Sequence, residues 1–395
     1  MSTARNYPRF CLLMILIVFQ CLNRALGQES QEAKALEDAK ITSRIESFKN
    51  LPRETKEKLS RDLQEESKKH YGFAAVKTID DTFTIDVANL TLEQKLLLDQ
   101  TTMHVVDSNL VPIAVLKNTL KSTGNQMYPD LQALVASGLN DETLEITNKV
   151  GRIRYRLNGQ RSEAPQDGTA YLAGTGFVIG PGVVATACHV LDYFTDVKSG
   201  LMSPTVTVDI DFSADPNAGP GFLVTGVAGK GNLQGEDYAI LTVNTISKGR
   251  PLPEPMTLGT DANTKYVAVI GYPDLTGAMN ACAPGGTGCD ETTKWFSEFA
   301  AKNPGIIKIM SPGLKTGNFA PLGFPIVTYD SPTLGGQSGS PVIDLSSKKV
   351  IGIHYCCTGY KPDENEPSCA RLQPLSLGVK SSNEALAIRD VVVPQ

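Results

Sequence analysis

The sequence predicts an all-β fold of two barrels with a helical segment ahead of them, and three observations carry that prediction. From Val150 onward about a dozen short runs rich in Val, Ile, Tyr, Phe and Thr are separated by Gly, Pro, Asn and Asp, the pattern of a barrel or sandwich. The stretch "KGRPLPEPM" (Lys248–Met256) divides these runs into two sets of similar number, as a link between two barrels would. Before residue 148 the character differs: charge is dense, glycine is scarce and apolar residues recur at helical spacing.

Taken in chain order, the first element is a leader. Arg5 and Arg9 precede the apolar run Phe10–Phe19, and Ala25 and Gly27 supply a small-x-small exit. This predicts a secretory signal over residues 1–27, cleaved after Gly27, and hence an extracellular protein. The run falls well short of the ~20 residues that span a bilayer; a short signal anchor is the alternative. Residues 28–148 follow as a helical segment. Leu36, Ile41, Ile45 and Phe48 sit at helical intervals, "LPRETKEKLSRDLQEESKKH" offers many i,i+4 charge pairs, and "TLEQKLLLDQ" and "YPDLQALVASGL" are further helices. The segment is either a pro-region held against the rest of the chain or an accessory interaction domain. Asn89-Leu90-Thr91 is an acceptor sequence for N-glycan.

The remaining residues, 149–395, hold the strands. They are expected near "RIRYRL", "GTGFVIG", "VVATACHV", "TVTVDIDF", "FLVTGVAG" and "YAILTV", and after the proline-rich link near "YVAVIGY", "IIKIM", "PIVTYD", "SPVIDL" and "KVIGIHY". The final stretch "SSNEALAIRDVV" reads as a C-terminal helix.

Of the eight cysteines, Cys11 and Cys21 leave with the signal; Cys188, Cys282, Cys289, Cys356, Cys357 and Cys369 remain. An even number behind a signal points to disulfides. Cys282 and Cys289 flank the flexible "APGGTG" and can close on each other. Cys356 and Cys357 are adjacent and bond elsewhere, with Cys369 and Cys188 as candidates. The cysteine spacing does not suit zinc, and the chain has four histidines. A net charge of −5 and the lack of any basic block give no footing for nucleic acid or for an anionic membrane.

One constellation carries chemistry. "TLGGQSGSPV" (Thr333–Val342) spends three glycines on a tight turn around Ser338, the arrangement that exposes a nucleophile beside converging main-chain N–H groups. A serine hydroxyl needs a base, and the base needs an acceptor to hold its tautomer. His189 ends the apolar run "GVVATAC", and Asp237 opens the run "YAILTV". These are the residue types required, in one β-rich half of the chain.

"GTGFVIGPGVVATACHVL", "EDYAIL" and "GGQSGSPV" resemble the His, Asp and Ser motifs of chymotrypsin-fold serine peptidases, in that family's order. The resemblance covers about Val150 to the C-terminus and implies two six-stranded antiparallel barrels with the site between them. It implies that Ser338 attacks the scissile carbonyl of a protein or peptide, that His189 relays its proton, and that Asp237 orients the imidazole. The N–H groups of Gly336 and Ser338 would bind the oxyanion. No metal or cofactor is implied, because the three side chains supply base, nucleophile and charge stabilisation.

Two departures narrow the likeness. Gln337 stands where digestive members carry a carboxylate, so their activation switch is absent, and Cys188 precedes the histidine rather than following it. "GQSGSP", "VIGYP" and "VIGIHY" look closest to the V8-type glutamyl endopeptidase branch. By that likeness Thr333 and His354 would bind a Glu side chain at P1. Pro332 occupies the pocket base, which speaks against Arg or Lys there. Glu145 in "DETLEITNKV" is then a self-processing point. The competing reading is a non-catalytic binding module on the same fold, with the helical segment as its partner site.

Overall fold

The computed structural model describes residues 112–388, except 117–118, 123–128, 139–140, 159–168, 197–200, 232–235, 288, 290, 320–324, 358–359, 363–371 and 375–382, together with seven positions between Ala35 and Arg61. Those seven, Ala35, Asp38, Ala39, Thr42, Arg53, Glu57 and Arg61, are all helical. Arg53 Nε donates to Glu57 Oε1 at 2.9 Å, one of the expected i,i+4 pairs. The leader, Asn89 and the helix expected over Thr91–Gln100 lie outside the described residues.

Two short strands that the sequence reading did not foresee come first, β1 (Ile113–Leu116) and β2 (Thr119–Ser122), followed by helices Pro129–Gly138 and Asp141–Asn148. The first barrel then closes from β3 (Val150–Leu157), β4 (Tyr171–Gly180), β5 (Val183–Thr186), β6 (Val206–Asp211), β7 (Phe222–Lys230) and β8 (Ala239–Val243) in the order β3-β4-β5-β8-β7-β6. In β3 and β6 residue types alternate as a barrel wall demands. Ile153, Val208 and Ile210 are buried in the core, whereas Arg152 and Arg154 stand opposite Asp211 and Asp209 and pair with them at 2.9 and 2.8 Å. The same guanidinium groups reach the carbonyls of Asp215, Ala218 and Gly219 and so hold the loop after β6.

The link is a small hairpin, β9 (Ile246–Ser247) and β10 (Arg250–Pro251). Lys248 and Gly249 at its tip have φ of 51° and 75°, the paired positive values of a type I′ turn. The second barrel follows with β11 (Tyr266–Gly271), β12 (Ile309–Phe319), β13 (Ile326–Tyr329), β14 (Pro341–Asp344) and β15 (Val350–Cys357). The short pair β16 (Tyr360–Pro362) and β17 (Leu372–Pro374) stands apart, and β18 (Asn383–Ala387) completes the set. The order β11-β14-β15-β18-β13-β12 closes through β11–β12 pairing. Val267, Val269, Val327, Val342, Ile351, Ala385 and Ala387 fill its interior from five of the six strands.

The expected C-terminal helix is therefore corrected: Asn383–Ala387 is a strand between β13 and β15. Glu-Ala-Leu-Ala has helical propensity, but alternation sends Ala385 and Ala387 to the barrel interior and Leu386 and Ile388 to the larger core. Long-range pairing overrides local preference.

The helical reading of 28–148 also needs correction at its end. β1 pairs with β12 (Ile113↔Met310), and Ile113, Val115, Leu131 and Val135 belong to the same hydrophobic core as Val150, Phe177 and Ile240. Between β11 and β12, helix Leu275–Ala281 starts with Asp274 accepting the Gly277 N–H at 2.8 Å, and the Cys282–Cys289 disulfide closes the expected loop.

Candidate active site

The register of the first barrel brings His189 and Asp237 together. β5 pairs with β8 so that Thr186 faces Ala239. His189 lies three residues past Thr186, in a 3-10 segment Cys188–Tyr193, and Asp237 lies two residues before Ala239. Asp237 is 3% exposed, and both its oxygens are used on one residue. Oδ2 meets His189 Nδ1 at 2.7 Å, and Oδ1 accepts the His189 main-chain N–H at 3.0 Å. The carboxylate thereby fixes both ring orientation and tautomer, with the proton on Nδ1 and a basic lone pair on Nε2. Burial is the largest single influence on the imidazolium and opposes it. The charge and hydrogen bond of Asp237, aided by the charge of Asp192, outweigh burial and raise the His189 pKa above the ordinary histidine value.

The glycine turn packs against the segment that leads into His189. Gly336 and Gly339 have φ of +89° and +86°, a region costly for side-chain-bearing residues. A Cβ at Gly339 would stand 2.8 Å from the N of Ala187, two residues before His189, so only a bare backbone fits there. Thr175 of β4 stitches the turn to the first barrel. Its N–H donates to Ser338 O, and its hydroxyl donates to Gly336 O, each at 2.8 Å. From the second barrel, Gly339 N–H donates to His354 O at 2.7 Å and Asp274 N–H to Gly335 O at 2.7 Å.

The N–H groups of Gln337, Gly339 and Ser340 all have acceptors, whereas those of Gly336 and Ser338 have none among the described residues. The two amides assigned to the oxyanion are both unpaired, as is that of the exposed Gly335 beside them. Ser338 is partly exposed, and its hydroxyl makes no hydrogen bond within the described protein, including to His189. Contacts between nucleophile and base are often long without substrate and tighten when it binds.

The two residues expected to read P1 stand in neighbouring positions of the second barrel. His354 is buried on β15, and its Nδ1 meets the Tyr329 hydroxyl at 2.6 Å. The Thr333 hydroxyl donates to Asn383 Oδ1, and Asn383 Nδ2 donates to Ser331 O at 2.6 Å. Tyr329 and Asn383 are direct partners across β13 and β18, so the two pairs adjoin. Glu384 points the other way, accepting from the Tyr355 hydroxyl at 2.6 Å. Burial, reinforced by that carboxylate, pushes the Tyr355 pKa well above the ordinary phenol value. Tyr329, Asn383 and Thr175 escaped the sequence reading, since each acts through one or two hydrogen-bonding atoms and carries no spacing signal.

Residues 174–353 match the family model described as the trypsin-like peptidase domain, a span that includes His189, Asp237 and Ser338. Among solved structures, the inactive form of the Rv3671c protease is similar at 18% identity and a TM-score of 0.34, over 65% of this chain and 91% of that one. The active form of the Rv3671c protease from M. tuberculosis is similar at 20% identity and a TM-score of 0.36, over 66% of this chain and 88% of that one. No curated protein sequence matches the chain.

Proposed function

On a trypsin-like peptidase domain with this geometry, we propose that the chain is a secreted serine endopeptidase working through His189, Asp237 and Ser338. The observation that carries the reading is the double grip of Asp237 on His189, by ring and main chain, together with a serine turn in which the Gly336 and Ser338 amides are unpaired. Ser338 Oγ attacks the scissile carbonyl while His189 Nε2 takes its proton. The tetrahedral oxyanion is held by the N–H groups of Gly336 and Ser338. His189 then protonates the leaving amine, Asp237 stabilising the imidazolium, and water repeats the sequence on the acyl-enzyme.

The leader over residues 1–27 supports secretion, and Asn89 is then a glycan acceptor. Residues 28–148 act as a pro-region or as an accessory domain. For P1 we propose Glu. In the tautomer in which the Tyr329 hydroxyl donates to His354 Nδ1, the ring carries its proton on Nε2, a donor for a carboxylate. The Thr333 hydroxyl turns from Asn383 to the same group.

A fluorophosphonate probe tests the enzyme reading: labelling is expected in the wild type and absent in Ser338→Ala. Failure of processed wild-type protein to label would favour the binding-module reading. A matched peptide panel tests specificity, with cleavage after Glu expected at least ~10-fold better than after Gln. Equal cleavage after Leu, Phe or Arg removes the Glu assignment and leaves the peptidase reading intact.

A further inference from the structure

Lys308 is wholly buried, and the mechanism above does not use it. Its Nζ donates to Thr147 O at 2.6 Å and Phe212 O at 3.3 Å, and it stands 5.0 Å from the centroid of the Tyr272 ring. Thr147 is in the last turn of helix Asp141–Asn148, where carbonyls lack helical partners and a cation is favoured. Phe212 follows β6 of the first barrel, and Tyr272 follows β11 of the second. One amine therefore joins the N-terminal segment to both barrels.

The ring beneath it leads to the oxyanion turn. Tyr272 is 1% exposed, and its hydroxyl donates to Ser213 O at 2.9 Å. Its main-chain N–H donates to Thr175 Oγ1 at 3.1 Å, the hydroxyl that in turn donates to Gly336 O. Its own carbonyl forms a wall of the turn, lying 2.6 Å from where a Cβ of Gly336 would be. The ring beneath Lys308 and the backbone against which Gly336 is folded thus belong to one residue.

We propose that Lys308 is a positioning residue that couples the seating of helix Asp141–Asn148 to the conformation of the oxyanion turn. Stability alone is a poor account of this lysine. Asp211, the acidic group that acts on it, is already engaged by Arg152 and Arg154, and Arg152 opposes the ammonium. Burying an ammonium without a direct counter-ion is unfavourable, and an apolar side chain of similar size avoids that penalty. Burial lowers the Lys308 pKa to about 7. What the amine adds is a directional tie among three elements, one of which backs the turn.

The proposal rests on the peptidase reading, and the test separates the two. Fluorophosphonate labelling of the wild type, lost in Ser338→Ala, establishes the peptidase first; its failure defeats that reading and says nothing against the coupling as geometry. Lys308→Met, which keeps length and removes the donors, is then assayed well below its own Tm. The expected result is a kcat lowered ~10–100-fold with KM within ~2-fold, because the oxyanion contact is made only in the transition state. A purely structural lysine would lower Tm and leave kcat of the folded enzyme unchanged, and that outcome overturns the proposal. So does a raised KM at constant kcat. Should Lys308→Met not fold, Tyr272→Leu decides. It keeps the amine and both carbonyl bonds and removes the ring, so the same kcat-selective loss is expected, and wild-type kcat overturns the coupling.

Discussion

Replacing Gly336 by alanine puts the oxyanion turn to a quantitative test. At φ of +89° an L-residue incurs about 1–2 kcal/mol of backbone strain. The new Cβ would lie 2.7 Å from Leu172 Cδ2, which can swing away, and 2.6 Å from Tyr272 O, which cannot, because it is main chain on a buried residue. Relieving the carbonyl contact requires a shift of at least about 0.4 Å, as wide as the 2.7–3.1 Å window in which an oxyanion donor is effective. The Gly336 N–H is then lost as a donor, for roughly 3–4 kcal/mol of transition-state stabilisation or 10²–10³ in kcat. Gly335→Ala is the internal control: a Cβ there meets nothing within 4 Å. Steady-state hydrolysis of a chromogenic peptide ester, with Tm measured in parallel, decides the matter. Retention of more than a third of wild-type kcat by folded Gly336→Ala, or an equal loss in Gly335→Ala, refutes the reasoning.

Asp237→Asn should lower kcat by about 10³–10⁴, because an amide cannot accept from both the His189 ring and its main-chain N–H, and one N–H is left facing another. The same variant should move the acidic limb of the kcat/KM profile to lower pH. His189 must be neutral to act as base. Asp237 raises its pKa against burial, and removing that charge leaves burial to act alone. The raised wild-type pKa also means that the stabilisation is present below the unfolded value of about 6.5 and is lost as pH rises through the folded one; Tm against pH checks the sign. Ile113→Ala should cost about 2–5 kcal/mol in urea unfolding, since Ile113 is fully buried in the common core. A change under 0.5 kcal/mol would show that β1 is not part of the cooperative unit.

The barrels were legible because short runs of Val, Ile, Tyr, Phe and Thr are punctuated by Gly, Pro, Asn and Asp, and in β3 and β6 Arg and Asp also recur every second residue. β18 was not, since "NEALA" has good helix formers and its strand character comes from β13 and β15 on either side. β1 was hidden for a related reason: four apolar residues carry no period, and their partner Met310 is far along the chain. His189, Asp237 and Ser338 were readable as chemical types in a recognisable order. Thr175 and Tyr272 were not, because their service to the site runs through one hydroxyl and a stretch of main chain that no residue type advertises. Lys308 reads in sequence as an ordinary charge within "IIKIM", and only the fold shows it sealed from water.

The pairing of β1 with β12 changes what a cut ahead of the first barrel would accomplish. Scission at Glu145 would break the chain inside a helix whose Thr147 is fully buried, while β1 remained hydrogen-bonded to β12 and Ile113 and Val115 stayed in the core. The product would be a two-chain molecule whose light chain is gripped by the heavy one, and it would dissociate only on denaturation. Shedding an inhibitory peptide intact would instead require a break upstream of Pro112.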